Sequence, residues 1–246
     1  ALLSAHQSIG VPQPLLVFGT PEQKAKFLPR CAKGEISAFA LTEPDVGSDP
    51  AKMSTTARLS DDGTEYILNG EKLWCTNVVK AGVIVVMAKM PESTEGRPKI
   101  SAFIVEMDTP GIEVTHRCRF MGLRALYNGV VTFKDVRVPR ENLIAGEGRG
   151  LKVALTTLNT GRITLPAACA GMAKQCLEWC TDWAAKRVQW GQPIGKHEAI
   201  ADKLRRMERN TRAIEAMVRY VSALVDQDKH ADIRIEAAMA KLWGTE

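Results

Sequence analysis

Residues 58–77 read RLSDDGTEYILNGEKLWCTN. Two turn dipeptides, Asp62-Gly63 and Asn69-Gly70, punctuate β-favouring runs, and glycine tolerates the positive φ that a two-residue hairpin turn demands. The spacing predicts two consecutive hairpins between Arg58 and Trp74. Further short runs at Glu65 to Leu68, Val83 to Ala88, Ser101 to Glu106 and Val130 to Val138 read as strands. The segment around Pro91, Gly96 and Pro98 reads as an exposed loop. Residues 35–146 are therefore expected to form a middle antiparallel β domain, a small sandwich or barrel.

On the N-terminal side, residues 1–34 look helical. Pro12 and Pro14 break a first piece, and Pro21-Glu22-Gln23 supply proline and acidic character at the start of a second. On the C-terminal side the period changes after Gly146-Glu147-Gly148-Arg149-Gly150. Ile200, Leu204, Met207, Thr211, Ile214, Met217, Val218, Val221 and Leu224 recur at steps of three and four, the stripe of an amphipathic helix. A preceding helix spans roughly Leu151 to Lys186, interrupted or kinked near Pro166. A last helix begins near Asp232, with Ile235, Ala238, Met239 and Leu242 on one face. The fold class is α+β: the end of an N-terminal helical domain (1–34), the β domain (35–146) and a C-terminal helical bundle (147–246) that stops incomplete.

The 246 residues are 45% hydrophobic and 25% charged, an ordinary globular composition. The formal net charge of +5 is spread along the chain, which argues against nucleic acid and still suits an anionic ligand such as a coenzyme A thioester or a dinucleotide. No apolar run approaches the length of a membrane span, so membrane insertion is not expected. Six cysteines without paired spacing point to a reducing compartment, and Cys176 and Cys180 read as buried helix-face thiols rather than metal ligands. His6, His116, His197 and His230 are too dispersed for a metal triad, and no metal is proposed. The absence of a nucleophile elbow, a Walker loop and a GxGxxG run weighs against hydrolases and nucleoside triphosphatases.

Four stretches could carry chemistry. In Phe39 to Asp49, FALTEPDVGSD, a strand-like run ends in a loop that can offer Leu41 and Thr42 backbone groups and the Thr42 and Ser48 hydroxyls to a heteroaromatic ring or phosphate. Gly47 there allows close approach. A capped surface turn accounts for the same residues. In Lys72 to Asn77, KLWCTN, a period of two puts Trp74 and Thr76 on the same face of a strand, where an indole and a hydroxyl could meet a ring; a strand-covering Trp is the plainer alternative. In Arg187 to Gly195, RVQWGQPIG, Arg187 could meet a pyrophosphate with Gln189 as a neutral donor, or simply complement a helix dipole. In Leu158 to Arg162, LNTGR, Asn159 and Arg162 share a helical face and could contact substrate or a neighbouring helix.

Together these runs resemble the acyl-CoA dehydrogenase family, which carries TEPxxGSD, then KxWxTN, then RxxFG or a variant. The likeness extends through GFIVE-like Ala102 to Glu106, DTPGI at Asp108 to Ile112, FKDVRVPRENLI at Phe133 to Ile144 and GEGRGLK at Gly146 to Lys152. LNTGR and the stretch Ile235 to Glu246, IEAAMAKLWGTE, which is similar to IEAAISKIFGSE, point to the medium- and very-long-chain branch. Departures are Asp45-Val46 for Gly-Ala, Trp190 for Phe, Ala125 to Asn128 for a Ser-Asp-Thr-like turn, and Glu198 for Gln.

The resemblance implies an FAD-dependent oxidoreductase that converts an acyl-CoA thioester to the trans-2-enoyl-CoA. It implies flavin contacts from Phe39, Leu41, Thr42, Trp74 and Thr76, and contacts from Arg187, Gln189 and Trp190 to the FAD of a neighbouring subunit. Ser48, Asn159 and Arg162 would serve the thioester substrate. It further implies a homo-oligomer built as a dimer of dimers, electron-transfer flavoprotein or a similar acceptor as partner, and a bacterial cytoplasm or mitochondrial matrix as location. The family's base belongs to a Y/F-E-G-T segment not found between Ala1 and Glu246, and the other known position is occupied here by Gly161. No catalytic residue is therefore assigned, the base is expected beyond the end of this chain, and the 246 residues alone are expected to lack turnover. An acyl-CoA oxidase, a flavin monooxygenase of the same fold and a non-catalytic assembly relative are the alternatives.

Overall fold

The computed structural model describes residues 7–91, 99–228 and 231–246. The expected helix over 1–6, the loop at Gly96 and Pro98, and His6 and His230 lie outside the described residues. The chain folds into two compact units, one running to Leu158 and the other from Asn159 to Glu246.

The first unit opens with helices α1 (Pro12–Phe18) and α2 (Pro21–Ala32). Proline occupies the first turn of both, where its missing N–H costs nothing. Thr20 starts α2 with a reciprocal cap: its hydroxyl accepts from the Gln23 amide at 3.2 Å while Gln23 Oε1 accepts from the Thr20 amide at 3.1 Å. Eight strands follow in one sheet: β1 (Ser37–Ala40), β2 (Thr56–Leu59), β3 (Glu65–Cys75), β4 (Val83–Lys89), β5 (Ile100–Glu106), β6 (Ile112–Arg117), β7 (Gly129–Pro139) and β8 (Leu143–Ile144). Their order is β6-β7-β3-β2-β4-β5-β8, with β1 also beside β4. Pairing is antiparallel except that β1 and β2 meet β4 in parallel.

Strands β4 and β5 are buried on both faces, which is why VIVVMA reads as an unbroken apolar run rather than an alternation. On one face Ile84, Val86, Phe103 and Val105 pack with Tyr66, Leu68, Val131 and Phe133 of β3 and β7, so the sheet curls over on itself. The Tyr66 and Phe103 rings lie 5.0 Å apart at 58°. On the other face Val83, Val85 and Ile104 pack with Val11, Leu15 and Phe27 of the helices and with Val153 and Ala154.

The hairpin expected at Asp62-Gly63 forms, with Gly63 at φ 71. The second one does not: Asn69 and Gly70 lie inside an uninterrupted β3, opposite a bulge in β7 at Lys134 and Asp135. Asn69 Nδ2 donates to Asp135 Oδ1 at 3.0 Å and the Asp135 amide donates to Asn69 Oδ1 at 2.9 Å, so a cross-strand partner takes up the polar groups that would have made a turn. Gly70 is required there, since at φ 149 a Cβ would sit 2.6 Å from Thr55 Cα.

Helix α3 (Gly150–Lys186) continues through Pro166. In the second unit a two-strand hairpin, β9 (Val188–Gln189) with β10 (Gln192–Pro193), separates α3 from α4 (Glu198–Gln227), and α5 (Arg234–Thr245) follows. Thr211, Ile214 and Val221 of the anticipated α4 stripe are buried. Lys174 of α3 pairs with Glu215 of α4 at 2.7 Å. In α5 the buried face is Ala237 and Ala240, whereas Ile235, Met239 and Leu242 of the anticipated face are exposed; small side chains let α5 approach closely, with Gly244 against Pro166. Cys176 and Cys180 are also exposed, against the burial expected of them.

Candidate functional site

In the first unit the two motifs meet through an ion pair. Glu43 closes a tight turn, its amide donating to the Val46 carbonyl at 3.0 Å and the Val46 amide donating back at 3.1 Å. Its carboxylate then accepts four bonds: Lys72 Nζ at 2.8 Å and the Thr55 amide at 3.0 Å on Oε1, and the Ser54 amide at 2.6 Å and hydroxyl at 2.7 Å on Oε2. The Lys72 side chain is 0% exposed and that of Glu43 is 1% exposed. Burial opposes ionisation of Glu43, but the Lys72 ammonium and the Ser54 and Thr55 donors prevail and hold its carboxyl down at about 2. Burial likewise lowers Lys72, and Glu43 opposes that shift. The pair is ionised because every lone pair facing the interior has a donor.

This pair positions the expected ligand-facing residues. Lys72 Nζ also donates to the Leu41 carbonyl at 3.2 Å, and the Leu73 amide donates to the Thr42 carbonyl at 2.8 Å. Leu41 and Thr42 are thereby stitched to the end of β3, and Phe39 on β1 packs partly buried against the helix-side core. Ser48 stands on the exposed part of the loop. A Cβ on Gly47 would meet no protein atom within 4 Å, so packing within the chain does not demand glycine there.

Trp74 and Thr76 do not share a strand face in the way a period of two implies. Trp74 sits at φ 56 beside a register shift, and β3 ends at Cys75. The left-handed backbone costs a bulky residue roughly 1–2 kcal/mol, and it leaves the indole 58% exposed. Thr76, half-buried in the turn, accepts from Asn128 Nδ2 at 3.1 Å; the same nitrogen lies 3.5 Å from the Trp74 carbonyl oxygen. Asn128 Oδ1 is buried with no partner among the described residues, a state that costs about 1–3 kcal/mol unless a donor reaches it.

In the second unit Arg162 Nη1 donates to Asn159 Oδ1 at 3.1 Å, one turn away on α3. The Arg187 amide donates to the Trp183 carbonyl at 2.8 Å, and its own carbonyl accepts from Ile194 at 2.8 Å, which closes the β9–β10 hairpin. Trp190 and Gly191 form its tip at φ 49 and 77. Arg187 and Gln189 are exposed, and Trp190 is 88% exposed with its ring edge-on to His197 at 5.6 Å.

The family description "Acyl-CoA dehydrogenase, middle domain" matches residues 38–136, the C-terminal domain of the same family matches 148–246 and its N-terminal domain matches 1–35. This chain belongs to the acyl-CoA dehydrogenase family. It is 58% identical over 246 residues to the probable acyl-CoA dehydrogenase FadE10 of Mycobacterium tuberculosis (strain ATCC 25618 / H37Rv), covering 100% of this chain and 38% of that protein. The fold matches that of butyryl-CoA dehydrogenase from Megasphaera elsdenii with a TM-score of 0.91 and 33% identity, over 99% of this chain and 63% of that one. It also matches an acyl-CoA dehydrogenase from Bacillus anthracis solved in complex with FAD, with a TM-score of 0.84 and 37% identity, over 98% of this chain and 41% of that one.

Sequence reasoning quoted Glu43 and Lys72 only as letters within the acyl-CoA dehydrogenase motifs and gave them no role. A signal existed for Lys72, because alternation from Tyr66 and Leu68 carries it to the inner face, where a cation needs a partner. Asn128 appeared only as a departure from the family's usual turn, with nothing in its neighbours to announce a contact with Thr76.

Proposed function

We propose that the chain supplies flavin- and thioester-binding residues of an FAD-dependent acyl-CoA dehydrogenase, with 1–34, 35–146 and 147–246 as its helical, β and helical parts. The observation that carries this reading is the joining of Leu41 and Thr42 to Lys72 and Leu73, which stand just before Trp74 and Thr76 at the end of β3. The donor and acceptor set suits a flat heteroaromatic ring. Trp74 offers an exposed indole face, the Thr42 hydroxyl bonds to no protein group among the described residues, and Asn128 Oδ1 is an unmatched acceptor. FAD, when bound, supplies the acceptor for the hydride lost from the thioester β-carbon.

The chain's own residues bind and orient. Phe39, Leu41, Thr42, Trp74 and Thr76 hold the ring, and excluding water around the thioester strengthens each hydrogen bond made to it. Ser48, Asn159 and Arg162 serve the acyl-CoA. Arg187, Gln189 and Trp190, exposed on the β9–β10 hairpin, reach the FAD of a neighbouring subunit, so the protein works as a homo-oligomer, a dimer of dimers. An electron-transfer flavoprotein or similar carrier takes the electrons. The base that removes the α-proton is assigned to no residue of this chain. No helix among the described residues is long and apolar enough to cross a membrane.

The test is anaerobic addition of saturated acyl-CoA to the FAD-loaded full-length protein. The expected result is loss of visible flavin absorbance together with a 2-enoyl thioester product. A full-length protein that takes up FAD yet is bleached by no acyl-CoA refutes the dehydrogenase reading. Consumption of oxygen with enoyl product identifies an oxidase instead.

A further inference from the structure

We propose that Asn128 is a positioning residue that fixes the direction of the Thr76 hydroxyl, aiming it as a hydrogen-bond donor at the flavin ring; this rests on the flavin reading above. Asn128 is 7% exposed and immediately precedes β7. Its backbone is locked, because its carbonyl accepts from the Cys118 amide at 2.9 Å, and a Cβ on the adjacent Gly129 would sit 2.9 Å from the His116 carbonyl oxygen and from a Val78 methyl.

Its neighbours favour one orientation of the side-chain amide. The Trp74 carbonyl oxygen lies 3.5 Å from one amide atom, and a carbonyl faces an NH2 group rather than another oxygen. That nitrogen also lies 3.1 Å from Thr76 Oγ1, so its two hydrogens serve Trp74 and Thr76. An NH2 group accepts nothing in return. The Thr76 hydroxyl hydrogen must therefore point away from Asn128, and among the described residues it meets no protein acceptor. Thr76 is half-buried, so the donor is open to a ligand at the end of β3.

A hydrogen bond donated to the ring favours its reduced, more electron-rich form, so loss of the donor lowers the flavin midpoint potential. The experiment uses the full-length protein as wild type, Thr76→Val, Asn128→Ala and the double variant, and measures FAD affinity, the visible flavin spectrum and the midpoint potential. Asn128→Ala should weaken FAD binding by roughly tenfold, the worth of one such bond. It should lower the potential in the same direction as Thr76→Val, and the double variant should fall no further than Thr76→Val alone. If Asn128→Ala fails to fold, Asn128→Asp keeps the shape; its carboxylate can only accept, turns the Thr76 hydroxyl inward and should also lower the potential. Wild-type spectrum and potential in the Asn128 variants, with Thr76→Val shifted, overturn the inference, as does full additivity in the double variant. A wild-type protein that takes up no FAD overturns the flavin reading, and this inference with it, before any variant is compared.

Discussion

At the scale of single residues, Lys72 and Glu43 set the largest energies. Removing one member of a buried pair leaves the other charged and without a counterion, which costs on the order of 3–5 kcal/mol. Lys72→Met should therefore lower unfolding stability by about that amount in urea titrations, and a loss below about 1 kcal/mol would show that solvent reaches the site. Glu43 also predicts a pH dependence. Its carboxyl is held at about 2 against an ordinary 4.5, so its stabilisation is complete above the unfolded value and is lost as pH falls from there towards the folded one. The stability gap between wild type and Glu43→Gln should shrink over that interval. Urea midpoints that keep a constant gap across the interval would rule out this linkage. Arg187, Gln189 and Trp190 behave differently, because they are exposed and their substitution should leave stability nearly unchanged.

At the scale of elements, the cap of α2 and the bulge in β7 opposite Asn69 decide how the helices and strands are placed. Thr20→Ala removes half of a reciprocal cap and should cost about 1 kcal/mol. Gln23→Ala should cost more in the same thermal or urea measurement, since Gln23 Nε2 also donates to the Glu141 and Leu143 carbonyls at 2.6 and 2.9 Å and so ties α2 to the start of β8. Equal losses would mean that these carbonyls find water. Gly70→Ala should destabilise by more than about 1 kcal/mol, because the new methyl meets Thr55 backbone and the φ is one that L side chains resist. Asp62-Gly63 and Asn69-Gly70 present the same local turn chemistry, and only the first became a turn. The second lies opposite β7, where Asp135 accepts and donates across the strands, and no local rule contains that partner.

At the scale of the whole molecule, FAD binding to the folded state should raise the thermal midpoint of the full-length protein with FAD concentration, by about 2.7 kcal/mol of stabilisation at a hundredfold excess over Kd. A midpoint insensitive to FAD would speak against the cofactor. The amino-acid sequence by itself determined the succession of helical, strand-rich and helical segments, the strands near Val83, Ser101 and Val130, the α4 stripe and the motifs that mark the family. Those follow from spacing and backbone preference over a few neighbouring residues, which chain chemistry specifies locally. Tertiary structure alone decided that Lys72 meets Glu43, that Asn128 meets Thr76, that Asn69-Gly70 runs through β3 opposite a bulge in β7, and that α5 buries its alanines rather than Ile235, Met239 and Leu242. Each of these depends on which distant segment comes alongside, and burial makes that partner, not the residue's own propensity, the determinant of its energy.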